Sequence, residues 1–129
     1  MKKKLKDLES TIKNRRTVKL FTDKEINPDI ITKGIDLARW APNHHLTEPW
    51  HFYILNSSAI KESVELIRTV VTERKGEKIG NFKAEDASTR PGWMVVTCKK
   101  SDIELTQQED YASVCCAIQN FSLYLSEAG

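Results

Sequence analysis

The stretch WAPNHHLTEPWHFYIL (residues 40–55) joins a rigid, polar loop to an apolar strand. Two prolines, Pro42 and Pro49, restrict the backbone of the loop and reduce the entropy lost when it orders around a ligand. Residues 50–55 are aromatic and β-branched, which predicts a strand that begins after Pro49. A histidine in such a loop, for example His44, more often hydrogen-bonds a ligand or a carbonyl group than binds a metal ion.

A basic segment, RRTVKLF (residues 15–21), leaves the end of a predicted helix. Its three cations could hold a phosphate, because guanidinium groups bind phosphate oxygens through two hydrogen bonds. They could instead stabilise the helix C-terminus against its dipole, and residue type alone favours this second interpretation. We expect Val18, Leu20 and Phe21 to anchor the segment and hold its cations in place. A phosphate-bearing cofactor with a flat ring would need such a segment beside an aromatic loop.

The composition indicates one ordinary globular domain over residues 1–129, with 40% hydrophobic and 29% charged residues. A net charge of +2 is too small to indicate a nucleic-acid partner. The lysine-rich start is followed by no apolar stretch, so we expect neither a secretion signal nor a membrane-spanning segment. Three cysteines without metal-ligand spacing favour a reducing cytoplasm, and we expect no metal site.

Hydrophobic periodicity predicts four or five helices and two strands, which is an α+β fold. The predicted helices cover about residues 4–16, a stretch from Asn27-Pro28-Asp29 to Pro42, a stretch capped by Ser57 or Ser58, and a long apolar helix over 111–125. The predicted strands are residues 50–55 and a fully buried strand at 93–98. Two strands alone make a poor sheet, so the sheet is expected to be incomplete in this chain. Residues 73–92 are charged and interrupted by Gly and Pro, which predicts a mobile excursion.

Three motifs follow one another along the chain: RRTVKLF, WAPNHHLTEPWHFYIL and YASVCCAIQNFSLYLSEAG (residues 111–129). In this order they resemble the FMN-dependent nitroreductase family. The first is similar to that family's R-R-S-x-R-x-[FY], with Thr17 and Lys19 for the usual Ser and Arg. The second is similar to A-P-S-x-x-N-x-Q-P-W-x-F, and closest to the small branch with A-P-[ND]-H. The third resembles the core helix, with Gln119-Asn120 for a Gln-Asn-like pair.

The resemblance implies an α+β fold in which helices wrap a central antiparallel sheet, and an intertwined homodimer with FMN at the interface. The residues that it implies for the FMN phosphate and ribityl chain are Arg15, Arg16, Thr17 and Lys19. Those that it implies around the isoalloxazine ring, contributed by the other subunit, are Pro42, Asn43 and His44, with Trp40 at the ring's edge.

The implied activity is NAD(P)H oxidation by a ping-pong route, with a nitroaromatic compound or a quinone as electron acceptor. We expect no single catalytic acid or base, because the flavin supplies the chemistry. Leu46 and Glu48 depart from the family pattern, in which Asn and Gln are common. Family members also continue past the glycine that matches Gly129, which implies a C-terminally truncated chain. The alternative is therefore an inactive remnant that binds flavin or only dimerises.

Overall fold

The computed structural model describes residues 2–22 and 24–129, with side chains described from residue 7 onward. Within these residues the helices are α1 (Lys2–Asn14), α2 (Pro28–Ala38), a short 3-10 turn (His44–Leu46), α3 (Ser57–Lys75), α4 (Glu77–Ser88) and α5 (Glu104–Ala128). The strands are β1 (Trp50–Ile54) and β2 (Met94–Cys98). The predicted α+β fold is confirmed. None of the described helices has both the length and the apolar character needed to cross a membrane.

The two strands pair in antiparallel orientation. The Leu55 N–H donates to the Trp93 carbonyl at 3.0 Å, and the Lys99 N–H donates to the Pro49 carbonyl at 2.7 Å, which fixes the register. The prediction that β2 is fully buried is wrong, because its residues alternate between half-buried and exposed. Successive side chains point to opposite faces of a strand, and only one face of β2 packs on the core.

The chain forms two compact units, which are described separately. Unit 1 comprises Met1–Val18, Asn27–Phe52 and Val96–Gly129, and unit 2 comprises Lys19–Ile26 and Tyr53–Val95. A single domain over residues 1–129 stays a prediction.

The core of unit 1 lies between α2 and α5 and is built mostly from small side chains, with Trp50 as the large one. Its buried members are Ala38, Ala41, Trp50, Val114 and Ala117. A Cβ atom at Gly34 would lie 2.8 Å from Cε2 of Phe121, so glycine permits this close approach. The helix start is as predicted: Pro28 opens α2, and the Asn27 side chain accepts a hydrogen bond from the Asp29 N–H at 2.9 Å.

Unit 2 is dominated by α3 and α4, which pack together through Val64, Ala84 and Ala87. Asn56 caps α3 by accepting a hydrogen bond from the Ala59 N–H at 2.9 Å, so the prediction of Ser57 or Ser58 as the cap is wrong. Asn is as good a cap as Ser, and both serines lie inside the first turn. Residues 73–92 contain the whole of α4, a helix that the sequence patterns did not reveal. The mobility of this segment stays a prediction.

Candidate functional site

The loop after α2 is held in an uncommon backbone conformation. Three of its residues that are not glycine have positive φ angles: His45 (60°), Leu46 (51°) and Glu48 (42°). Each left-handed residue that is not glycine costs about 1–2 kcal/mol, so the surrounding contacts must compensate for the strain. Such strain is concentrated at functional sites, which makes this loop the first candidate in the molecule.

The Asn43 side chain provides most of the contacts that hold the loop. Its Oδ1 accepts a hydrogen bond from the Glu48 N–H at 2.8 Å. Its Nδ2 donates to the Thr47 hydroxyl at 3.0 Å and to the Ser113 hydroxyl on α5 at 3.3 Å. Both ends of the Asn43 amide are therefore used inside the protein.

Asp110 fixes the loop to α5, and this residue is only 4% exposed. The Thr47 hydroxyl donates to Oδ1 of Asp110 at 2.5 Å. Sequence reasoning missed this residue, although a signal was present. Asp110 shares one face of α5 with Val114 and Ala117, both buried, at the spacing i, i+4, i+7. An acidic residue on an otherwise apolar helix face needs a specific partner.

His44, one of the predicted ring-side residues, is exposed and lies beside α5. Its Nδ1 is 3.0 Å from a carboxylate oxygen of Glu109, and its ring stacks on that of His45 with centroids 3.8 Å apart. Because a carboxylate accepts hydrogen bonds, this contact places a proton on Nδ1. It leaves Nε2 as the nitrogen that can meet a ligand.

Glu48, which departs from the family motif, is paired with a cation. Its carboxylate lies 3.4 Å from a guanidinium nitrogen of Arg39 at the end of α2. Both side chains are more than half exposed, so the pair contributes little to stability. The pair nevertheless places the positive charge of Arg39 next to Glu48, the acid that departs from the family motif.

The sequence allowed two interpretations of the basic segment, a phosphate site and stabilisation of the C-terminus of α1. The structure supports the second interpretation for Arg16. The Arg16 guanidinium donates to the carbonyls of Lys13 at 2.6 Å and of Arg15 at 2.8 Å, so Arg16 covers the C-terminal end of α1. The Arg15 side chain is half-buried, and Thr17 is exposed. Among the described residues, no acid forms an ion pair with Arg15 or Arg16.

The residues that follow are anchored differently from the prediction; Val18 still belongs to unit 1, whereas Lys19, Leu20 and Phe21 belong to unit 2. Val18 and Leu20 are 59% and 90% exposed, so the expectation that they anchor the segment is wrong, and Phe21 contributes only through its contact with a cation. The contact that holds it comes from Arg90, after α4. This guanidinium donates to the Lys19 carbonyl at 3.0 Å and lies 4.9 Å from the centre of the Phe21 ring.

Four of the predicted cofactor residues occupy one continuous stretch of unit 1. Trp40, Pro42, Asn43 and His44 all lie there, and Trp40 is 81% exposed. Arg15, Arg16 and Thr17 belong to the same unit, whereas Lys19 belongs to unit 2. No hydrogen bond, ion pair or ring contact among the described residues joins the basic segment to the loop. Their assembly into one site stays a prediction.

Unit 2 also contains a groove of about 480 Å³ between α3 and α4. Its lining includes Val71 and Trp93, and Arg74, Lys83 and Arg90 contribute positive charge to it. None of the residues predicted from the motifs lines this groove. The loop of unit 1 is therefore the better candidate site.

Comparison with known proteins decides the family. A model of the Nitroreductase family matches residues 12–129. The chain belongs to the nitroreductase family. The match includes the basic segment, the loop after α2 and the whole of α5.

Two relatives at about 30% identity cover most of the chain. One is the Bacillus subtilis protein named "Putative NAD(P)H nitroreductase YfhC", which is 30% identical over 95% of this chain. The other is the crystal structure of a nitroreductase-like family protein from Bacillus cereus, with 32% identity and a TM-score of 0.85 over 95% of this chain. In both cases the chain spans 65% of the relative's length.

A more distant nitroreductase structure supports the fold alone. It is the FMN-dependent nitroreductase NfnB from Mycobacterium smegmatis in complex with NADPH. The TM-score is 0.77 at 16% identity, over 97% of this chain and 72% of that one. The nitroreductase fold is thus shared well beyond recognisable sequence identity.

Proposed function

We propose that this protein is an FMN-dependent NAD(P)H oxidoreductase that reduces nitroaromatic compounds, quinones or similar acceptors by a ping-pong mechanism. FMN, when bound, supplies the redox chemistry, and the residues of this chain bind and orient it. No side chain is assigned as a catalytic acid or base. A cytoplasmic location belongs to the same proposal and rests on the three unpaired cysteines.

The observation that carries the proposal is the set of cations at the basic segment. Arg15 and Lys19 have no carboxylate partner among the described residues, and Arg16 uses one guanidinium nitrogen for main-chain carbonyls. Cations without acidic partners suit a phosphate dianion, since Arg can bind it through two hydrogen bonds. Thr17 adds a hydroxyl group. The donor chemistry of this segment therefore fits the FMN phosphate.

The loop of unit 1 supplies what the flavin ring requires. Trp40 offers an exposed flat surface, and Pro42 restricts the backbone beside it. His44 offers Nε2, because Nδ1 is occupied by Glu109. Asn43 uses both ends of its amide internally, so we assign to it the role of shaping the loop rather than contacting the ring.

The names of the relatives agree with this assignment. YfhC is named for NAD(P)H, and NfnB is an FMN-dependent enzyme whose crystals contain NADPH. These properties belong to the relatives themselves. For this chain they support the choice of FMN as cofactor and NAD(P)H as reductant.

The proposal includes a homodimer. Tyr111, Cys115 and Ile118 are exposed and lie on one face of α5 at the spacing i, i+4, i+7. A contiguous apolar strip on a helix surface is typical of a surface that another molecule covers. Light scattering should give twice the chain mass for the wild-type protein and a lower mass for Ile118→Lys. A wild-type monomer at micromolar concentration would remove the dimer from the proposal.

The deciding experiment for the function is the visible spectrum of the purified protein, followed by titration of the apoprotein with FMN. We expect flavin absorbance that is released on denaturation, and saturable quenching of FMN fluorescence. NADH or NADPH should then be oxidised with an added quinone faster than in a mixture containing free FMN alone. A colourless protein that leaves FMN fluorescence unchanged would refute the proposal.

A further inference from the structure

The hydrogen bonds between the loop of unit 1 and α5 have a defined direction. Glu48 donates through its N–H to Asn43, and Asn43 donates through Nδ2 to Thr47. Thr47 in turn donates to Asp110, which is buried. A chain of this kind is cooperative, since each bond polarises the next.

The direction is set at the Asp110 end. The Thr47 hydroxyl has a single proton, and it is donated to Oδ1 of Asp110. The lone pairs of the Thr47 oxygen then face Asn43, which must present its NH2 group to them. The Asn43 carbonyl oxygen is consequently directed at the Glu48 N–H. Asp110 thereby determines how the Asn43 amide is oriented.

Ser113 supports the same orientation from the next turn of α5. It accepts a hydrogen bond from Asn43 Nδ2 at 3.3 Å and donates its own proton to the Glu109 carbonyl at 3.0 Å. A flipped Asn43 amide would place its oxygen against the acceptor side of both Ser113 and Thr47. The network therefore accepts one orientation of the Asn43 amide only.

We propose that Asp110 is a positioning residue of the flavin site: acting through Thr47 and Asn43, it locks residues 43–48 in the conformation that presents His44 to the flavin. The inference rests on the proposed function for the ligand, whereas the locking itself concerns this chain alone. Glu109, one residue before Asp110, contacts His44 directly, so the same turn of α5 controls both the loop backbone and the His44 ring.

The locking is tested by hydrogen exchange without any ligand. The Glu48 amide belongs to an exposed residue, and its bond to Asn43 is what protects it. In Thr47→Val, which removes the hydroxyl at nearly constant shape, we expect that amide to exchange about tenfold faster. Thr47→Ser should restore the protection. The control is the Ala59 amide in unit 2, which makes the same type of bond to Asn56 at 2.9 Å and should not change.

Asp110→Ala should accelerate exchange of the Glu48 amide to a similar degree. The double variant Thr47→Val/Asp110→Ala should add little, because both substitutions break one chain of bonds. If Asp110→Ala fails to fold, the comparison of Thr47→Val with Thr47→Ser decides whether this chain of hydrogen bonds locks the loop. Unchanged exchange of the Glu48 amide in Thr47→Val would overturn the proposal.

The positioning role is tested with both FMN and riboflavin. Thr47→Val should raise the Kd for both about tenfold, because the loop is assigned to the ring that they share, and Thr47→Ser should bind as the wild type does. Faster exchange with unchanged flavin affinity would reduce Asp110 to a structural role and overturn the proposal. If the wild-type protein binds no flavin, the proposed function fails, and the exchange rates still decide whether Asp110 locks the loop.

Discussion

The Arg90 guanidinium donates a hydrogen bond to the Lys19 carbonyl at 3.0 Å, across 71 positions of sequence. The same side chain forms an ion pair with Asp86 at 2.7 Å and faces the Phe21 ring. Arg90, which follows α4, therefore holds the end of the basic segment. This end carries Lys19, one of the residues predicted to bind the phosphate. The segment has no regular secondary structure of its own, so its position depends on this contact.

Replacement of Arg90 by lysine should weaken this attachment. Lysine keeps a positive charge for Asp86 but loses the planar group that faces Phe21 while it donates to Lys19. We expect the free energy of unfolding to fall by about 1–2 kcal/mol, as measured by urea denaturation. Arg74→Lys, at an exposed position of α3, should change it by less than about 0.5 kcal/mol. Equal effects of the two substitutions would show that the contact with Lys19 contributes nothing specific.

The phosphate assignment of Arg15 predicts a difference between two flavins. Arg15→Gln should raise the Kd for FMN about 10- to 100-fold, because a hydrogen bond to a charged group contributes roughly 1.5–3 kcal/mol. The Kd for riboflavin, which lacks the phosphate, should stay the same. Lys24→Gln, at an exposed position that no motif assigns to the phosphate, controls for the loss of one positive charge. Parallel losses for FMN and riboflavin would argue that Arg15 does not bind the phosphate.

The left-handed backbone at Leu46 predicts opposite effects for two leucine-to-glycine substitutions. Leu46 is 82% exposed, so Leu46→Gly loses little packing and removes strain. The free energy of unfolding should stay constant or rise by up to about 1 kcal/mol, since the entropy of glycine offsets part of the gain. Leu66→Gly, at an exposed position inside α3, should lower it by about 1 kcal/mol. Equal losses would mean that Leu46 is not left-handed in solution.

The elements that local patterns define were predictable from the sequence. The cap and proline at Asn27-Pro28 and the apolar run of β1 depend on neighbouring residues, and both are confirmed. The helix α4 was missed because its small residues, Gly80, Ala84 and Ala87, leave little hydrophobic periodicity. Gly80 is required by a long-range contact, since a Cβ there would lie 3.0 Å from the Arg68 carbonyl of α3. Contacts of this kind have no local signature.

The candidate site also combines residues that local patterns reveal with residues that only long-range contacts bring in. The motif residues of the loop could be named from the sequence, because they are contiguous. The partners Asp110 and Ser113 lie 63 and 70 positions from the loop residues that they bind, so only the fold brings them there. Arg90 is a similar case for the basic segment. Sequence reasoning thus identifies the groups offered to a ligand, whereas the structure identifies the groups that hold them.

The pKa of the Cys98 thiol predicts how the stability of the folded state depends on pH. Burial raises the pKa of Cys98, and the negative charge of Asp110 raises it further, while a hydrogen bond from Gln107 acts in the opposite direction. The folded state therefore holds the thiol proton more tightly than the unfolded state does. The resulting stabilisation is complete below the unfolded pKa of about 8.5 and is lost as the pH rises through the higher folded value.

Alkylation with iodoacetamide at pH 8.5, followed by mass spectrometry of peptides, should therefore modify Cys98 more slowly than the exposed Cys116, which is not part of the strip assigned to the dimer. Asp110→Asn removes the charge without removing the side chain, so alkylation of Cys98 should become faster in that variant. Cys116 serves as the internal control for reagent and folding. If Cys98 reacts as fast as Cys116 does in the wild-type protein, its thiol is not shielded. If Asp110→Asn leaves its rate unchanged, the charge of Asp110 does not act on it.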